Sequence, residues 1–253
     1  MDEKILDLTV VVPALNERDN IQGAISAMMI ALDHYKINGE VVVINDGSTD
    51  DTETVVDAMI KKDSRVRMLK HSSPMGIGAS FWDGVDASMG NAVVMFPGDN
   101  ENNPWEICRY YKMLDHVDIV IPFIFNREVR PIFRNALSLI YRFIINTTFL
   151  VNFNYTNGTI LYRKSVLKEL DHRSNGFFFQ TDILIRMTKK GYLFAEVPYK
   201  IDIRKKGGSK AISFPSLFQV IKGYLHLVRD CYFRKKIANI AQFSDDSVTA
   251  QRR

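Results

Sequence analysis

Val41-Val-Val-Ile-Asn-Asp-Gly-Ser-Thr-Asp-Asp51 decides the fold. Four β-branched residues without polar alternation suit a strand buried on both faces, as in a parallel sheet. The run then breaks into Asn, Asp, Gly and Ser, which favour turns. Similar runs surround it: Leu8-Thr-Val-Val-Val-Pro13, Val66-Arg-Met-Leu69, Ala92-Val-Val-Met-Phe96 and Asp118-Ile-Val-Ile-Pro122. Between them, apolar residues recur at helical spacing: Ile21, Ile25, Met28 and Leu32, then Val56 with Met59 and Ile60, then Ile77, Phe81 and Val85. Asn20 and Asp51 stand where helix caps are expected. Repeated βα units predict right-handed crossovers and an open, mostly parallel α/β sheet flanked by helices on both sides.

Beyond residue 122 the rhythm changes. A basic loop over Asn126 to Arg134 precedes an amphipathic helix from Asn135 to Phe149. Strands are expected over Gly158 to Arg163 and Leu193 to Pro198, with a helix over Thr181 to Lys190 between them. A second amphipathic helix runs from Phe214 to Phe233, and the polar stretch from Asn239 onward is expected to fray. The resulting division is a main domain over 1–212, with halves at about 1–122 and 123–212, a helical extension over 213–238 and a flexible tail over 239–253.

The 253 residues are ample for a sizeable core, and 46% apolar with 25% charged residues is ordinary globular composition. Residues 1–120 hold 10 Lys and Arg against 20 Asp and Glu; the remainder holds 23 against 9. An acidic half can hold a metal, while a basic half attracts phosphates, nucleic acid or an anionic membrane. Nucleic acid is disfavoured, because no aromatic-basic interleaving accompanies the charge. Cys108 and Cys231 share no metal spacing and read as inert thiols in a reducing compartment. Met1-Asp2-Glu3-Lys4 is no secretory leader, and no 18-residue apolar stretch exists, so a cytoplasmic protein is expected. The most apolar stretch, Ala136 to Phe153, is interrupted by Arg142, Asn146 and Asn152, too polar to span a membrane but suited to lie in its interface.

Ligands of open α/β sheets bind at the carboxyl ends of the strands. Three such ends carry carboxylates or amides: Pro13-Ala-Leu-Asn-Glu17, Asn45 to Asp51, and Pro97-Gly-Asp-Asn-Glu-Asn-Asn-Pro104. Any one could be only a turn; three together point to a site. Asp99 and Glu101 can reach one hard cation, Mg²⁺ or Mn²⁺, which needs few protein carboxylates when substrate phosphates complete its shell. Met75-Gly-Ile-Gly-Ala79 opens a helix, either to bind phosphate through Gly76 or to pack closely. Arg204 and Lys205-Lys-Gly-Gly-Ser-Lys210 form either a flap over a diphosphate or a solvated basic loop. Asp182 is either a general base or an acid favoured by a helix start. His34, His71, His116, His172 and His226 show no catalytic spacing and read as structural.

In this order the turns resemble those of the family 2 glycosyltransferases of GT-A fold, closest to the dolichol-phosphate mannosyltransferase and polyprenyl-phosphate glycosyltransferase branch. The resemblance covers roughly residues 8–212. It implies that Pro13, Leu15 and Glu17 border the nucleotide, that Asp46 contacts the base, and that Asp99 and Glu101 hold the metal. Pro97 departs from the branch's usual Asp-Gly-Asp opening, so a non-catalytic nucleotide-sugar-binding homologue stays open as an alternative. Asn154-Tyr-Thr-Asn-Gly158 carries amides at positions that are often Asp and Ser in the branch. Asp182 matches the branch's acidic helix start. Arg204, Ser209 and Lys210 resemble its Arg-x-x-Gly-x-Ser-Lys motif, associated with the donor diphosphate and acceptor phosphate.

The implied activity is inverting transfer of a sugar from a UDP- or GDP-sugar to a polyprenyl phosphate, with Arg130 and Arg134 guiding the lipid phosphate. A phosphate acceptor is already ionised and needs little base catalysis. The competing reading is transfer to a saccharide hydroxyl with Asp182 as base. Peripheral contact with the cytoplasmic face of a membrane through the two amphipathic helices is expected; core packing or a homo-oligomer interface are the alternatives.

Overall fold

The computed structural model describes residues 6–201, 214–234 and 243–253. Its centre is a seven-stranded sheet of order β3-β2-β1-β4-β6-β5-β7. The strands are β1 (Leu6–Ala14), β2 (Gly39–Asn45), β3 (Val66–Lys70), β4 (Gly90–Met95), β5 (Ile119–Ile124), β6 (Leu161–Arg163) and β7 (Phe194–Tyr199). All neighbours pair in parallel except β6, which runs antiparallel to both β4 and β5. The mostly parallel α/β sheet expected from the runs is therefore present. The expected strand over 158–163 shortens to three residues.

Because alternate residues of a strand face opposite ways, the unbroken apolar runs bury both faces. Val11, Val42, Ile44, Val93 and Ile121 face one core with α3 (Ile77–Ala87) and α7 (Phe179–Lys190). Val10, Val12, Val41, Val43 and Val94 face the other, under α1 (Ile21–His34) and α2 (Thr52–Lys62). Gly84 lets α3 lie directly on β1: a Cβ there would come within 2.3 Å of Val11. The four-residue α4 (Trp105–Cys108) and the five-residue α6 (Lys164–Lys168) complete the helical cover, and Cys108 is buried.

A buried charge fixes the register at the amino ends of the strands. Glu40 on β2 is 1% exposed. Its Oε1 accepts from Thr9 Oγ1 at 2.7 Å and from the Met89 amide at 2.7 Å, and its Oε2 accepts from Arg67 Nε at 2.8 Å. Thr9 Oγ1 in turn accepts from the Gly90 amide. One carboxylate thus ties β1, β3 and the entry to β4 to β2.

Asn20 and Asp51 occupy the cap positions of α1 and α2, but neither side chain makes a capping bond. Asp50 Oδ1 takes the Thr52 amide at the start of α2 instead. Helix α5 spans Ile132–Phe149 and so begins inside the expected basic loop, after a 3-10 turn at Arg127–Val129. Helix α8 (Phe214–Val228) ends in a π turn at Arg229–Phe233.

The tail expected to fray does not do so over 243–253, where α9 (Val248–Gln251) docks beside β5 and β7. The fully buried Asp118 carboxylate accepts from the Val248 amide at 2.8 Å, the Thr249 amide at 3.0 Å and Thr249 Oγ1 at 2.5 Å. Thr249 Oγ1 also accepts from the Leu193 amide, and Phe243 packs edge-on against Tyr192.

Replacing Glu40 by Ala should lower unfolding free energy by about 3 kcal/mol, since removing one partner of a buried charge network leaves the others unsatisfied. Urea denaturation of the two proteins checks this; an unchanged midpoint contradicts it.

Candidate donor and acceptor site

The three functional turns meet at the carboxyl edge of the sheet, sewn to one another by main-chain bonds. The Gly98 amide donates to Pro13 O, and the Phe96 amide to Val11 O. Asn16, with φ of 57°, accepts the Thr49 amide on its Oδ1 and donates its own amide to Ser48 Oγ. The Glu17 amide donates to Thr52 Oγ1, and Glu17 Oε2 accepts from Asn20 Nδ2. Pro13, Leu15 and Glu17 are half-buried along this crevice.

Asp46 lies at the end of β2, 5% exposed. Its Oδ1 accepts from the Met75 amide at 2.7 Å, its Oδ2 accepts from the Gly76 amide at 2.9 Å, and His71 Nδ1 is 2.7 Å from Oδ1. The carboxylate therefore organises the segment that leads into α3. Gly76 has φ of 99°, and its amide is committed to Asp46 rather than presented to a phosphate. Gly78 serves close packing, but against the 174–175 backbone and not the sheet. His71 carries no informative spacing in the sequence; its role rests on Asp46 and Asp83, 25 and 12 residues away.

Asp99 and Glu101 share the loop after β4, where Asp99 Oδ1 accepts from the Glu101 amide at 3.1 Å. Asp99 is half-buried and Glu101 exposed. Among the described residues, no group of three or more His, Cys, Asp or Glu is placed to hold a metal. That donor set fits a hard cation that takes one or two carboxylates here and completes its shell from substrate phosphates.

The C-terminal end of β5 opens on the same edge and leads to a cationic cavity. Arg127, Arg130 and Arg142 line it together with Ser138, Asn154 and Tyr155. Arg134 follows on the first turn of α5, half-buried. Of these cations the sequence picked out Arg130 and Arg134; Arg127 and Arg142 join through the fold of α5 over the cavity. Asn154 donates its Nδ2 to Glu196 Oε2 at 2.9 Å.

Helix α5 buries only Ile145 and Phe149, leaving Ile132, Phe133, Ile140 and Phe143 57–87% exposed. Helix α8 presents Phe218 and Leu225, and joins the end of α5 through a Thr148–Tyr224 hydroxyl bond. Those apolar faces are therefore not core. No helix among the described residues is long and apolar enough to cross a membrane.

Asp182 is buried inside the protein, 2% exposed, and not turned to the crevice. Its Oδ2 accepts from Arg186 Nε at 2.9 Å, and Arg186 reaches on to Asp230 Oδ2 at 2.8 Å. Burial pushes the Asp182 carboxyl up against the pull of Arg186, whereas the same guanidinium holds the Asp230 carboxyl down despite its burial. A carboxylate enclosed this way is badly placed to take a proton from an acceptor hydroxyl, which needs direct reach. Arg204, Ser209 and Lys210 lie outside the described residues.

The chain belongs to glycosyl transferase family 2, whose family model matches residues 9–171. It is 24% identical over 169 residues to a dodecaprenyl-phosphate galacturonate synthase of Rhizobium johnstonii, covering 65% of this chain and 50% of that protein. It is 28% identical over 208 residues to an undecaprenyl-phosphate 4-deoxy-4-formamido-L-arabinose transferase of Edwardsiella ictaluri, covering 80% of this chain and 62% of that one. The chain thus spans less than two thirds of the length of either relative. Among solved structures, glucosyl-3-phosphoglycerate synthase of Mycobacterium tuberculosis, crystallised with Mn²⁺, UDP-glucose and phosphoglyceric acid, superposes with a TM-score of 0.68 at 21% identity. That match covers 88% of this chain and 80% of that one, and establishes the GT-A fold.

Arg186→Ala should destabilise the protein by about 3–5 kcal/mol, because it strands two buried carboxylates. A thermal melt within a degree of the parent protein's contradicts the proposed network.

Proposed function

We propose that this chain transfers a sugar from a nucleoside-diphosphate sugar to a polyprenyl phosphate at a membrane surface, with inversion at the anomeric carbon. The observation that carries the reading is the cavity of Arg127, Arg130 and Arg142 beside the exposed apolar face of α5. Cations next to an apolar surface suit an acceptor with a phosphate head and a hydrocarbon tail. The two polyprenyl-phosphate transferases similar to this chain support the same class of acceptor.

On this reading the donor nucleotide lies in the crevice of Pro13, Leu15 and Glu17, with Asp46 at its base end. A divalent cation, Mg²⁺ or Mn²⁺, held by Asp99 and Glu101 would neutralise the departing diphosphate. Arg204, Ser209 and Lys210 are assigned to the donor diphosphate and acceptor phosphate on the resemblance alone. The structural neighbour, named with Mn²⁺ and UDP-glucose, favours a UDP-sugar among the donors considered.

Arg127, Arg130 and Arg142, with Arg134 beside them on α5, hold the lipid phosphate, whose oxygen attacks the anomeric carbon in line with the leaving group. A phosphate monoester has its second pKa near about 6, so it arrives ionised and requires no base. The enclosure of Asp182 agrees with a positioning role: it holds Arg186 within α7, and Arg186 ties α7 to Asp230 in the π turn after α8.

Three measurements test the proposal. UDP with Mn²⁺ should raise the melting temperature, since a ligand stabilises the state it binds, and Asp99→Ala should remove the metal-dependent part of that rise. Arg130→Ala and Arg142→Ala should each lower kcat/KM for polyprenyl phosphate by about ten- to a hundredfold, as the loss of a charge-assisted bond predicts. Turnover on a free saccharide, absent on polyprenyl phosphate and abolished by Asp182→Asn, would sink the lipid-phosphate reading in favour of base catalysis.

A further inference from the structure

His71 is the one histidine wired into the donor crevice. It follows β3, and its ring stands between two carboxylates: Nδ1 is 2.7 Å from Asp46 Oδ1, and Nε2 is 2.9 Å from Asp83 Oδ2. The ring is 9% exposed, as is fitting for a clamp and not a surface contact. The ring thus bridges the end of β2 and α3, holding Asp46 with one nitrogen and Asp83 with the other.

What the clamp closes is the wall of the crevice beside β2. The His71 amide donates to Asn45 O, and the Met75 and Gly76 amides donate to Asp46. The segment also lies against Gly47: with φ of 72°, a Cβ there would come within 2.7–2.9 Å of Ser73 and Pro74. Residues 71–76 are thus strapped over the Asp46-Gly47 turn. Asp83 anchors the other end of the strap on the second turn of α3, away from the crevice and 44% exposed.

The neighbouring charges are engaged elsewhere. Lys70, before His71 on β3, pairs with Glu53 of α2. Asp86, one turn beyond Asp83, pairs with Arg173 at 2.5 Å, and Arg173 also lies over the Trp82 ring. From β2 and α3, the groups that face His71 are Asp46 and Asp83.

We propose that His71 is a positioning residue of the donor pocket: bridging Asp46 and Asp83, it fixes Asp46 and the 71–76 strap in the shape that receives the nucleotide. This rests on the donor reading given above.

The test is the affinity of UDP and of GDP with Mg²⁺, followed by calorimetry in the whole protein, His71→Gln and His71→Asn, with the melting temperature of each recorded. His71→Gln, whose amide can replace Nε2 on Asp83 but not Nδ1 on Asp46, should bind about tenfold more weakly, the equivalent of one lost bond. His71→Asn, whose amide can replace Nδ1 on Asp46, should bind more tightly than His71→Gln. Parent-like affinity in His71→Gln overturns the proposal, as does His71→Asn binding no more tightly than His71→Gln. A parent protein that binds neither UDP nor GDP overturns the donor reading and this inference with it, a result distinct from the other two.

Discussion

The carboxylate of Glu40 is the constraint from which the rest of the sheet follows. A buried charge is tolerated only where its hydrogen bonds are satisfied, and each of its partners here comes from a different strand or strand entry. Thr9 speaks for β1, Arg67 for β3 and Met89 for the approach to β4. A one-residue slip of any of these would turn its partner to the opposite face of the sheet. With the register set at the amino ends, the carboxyl ends arrive level, and the three functional turns can bond to one another across the edge. Site geometry is thus fixed by chemistry at the far end of the strands.

Much of this was legible in the sequence because it rests on local patterns. Val41 to Ile44 and Ala92 to Phe96 announce strands buried on two faces, and Asp46, Asp99 and Glu101 follow directly at their ends. What escaped depends on distant partners. Asp118 reads as the start of a strand, but its carboxylate waits for amides 130 and 131 residues later, so the docking of α9 leaves no local trace. Asp182 carries the look of a helix-start acid, and only Asp230, far along the chain and linked through Arg186, shows that it turns inward. His71 has no informative spacing until β2 and α3 bring carboxylates to both its nitrogens.

The chain separates two problems of charge. The acidic half brings Glu17, Asp46, Asp99 and Glu101 to the carboxyl edge of the sheet, where Asp46 and Asp99 are already engaged by main-chain amides. The basic half places arginines where the β5 end meets an apolar helix. Its exposed aromatic and aliphatic residues lie beside those cations. Apolar residues next to cations are the composition of an interfacial helix, whose polar heads sit at the level of phosphates.

The reversed strand β6 carries a consequence for how the molecule assembles. Strands β1, β2 and β3 pair through successive βα units that close short loops, Leu8 with Gly39 and Val41 with Val66, whereas β4 returns to β1 across a longer one, Ala92 with Leu8. The remaining strands attach to them through β6, which meets β4 at only two residue pairs, Ala92 with Arg163 and Val93 with Tyr162. That join closes a loop of some seventy residues, and contacts of long sequence separation form slowly. Topology therefore favours an order in which β1, β2 and β3 pair first, and β4, whose joins to β1 and to β6 both span long stretches of chain, is the seam that closes after them.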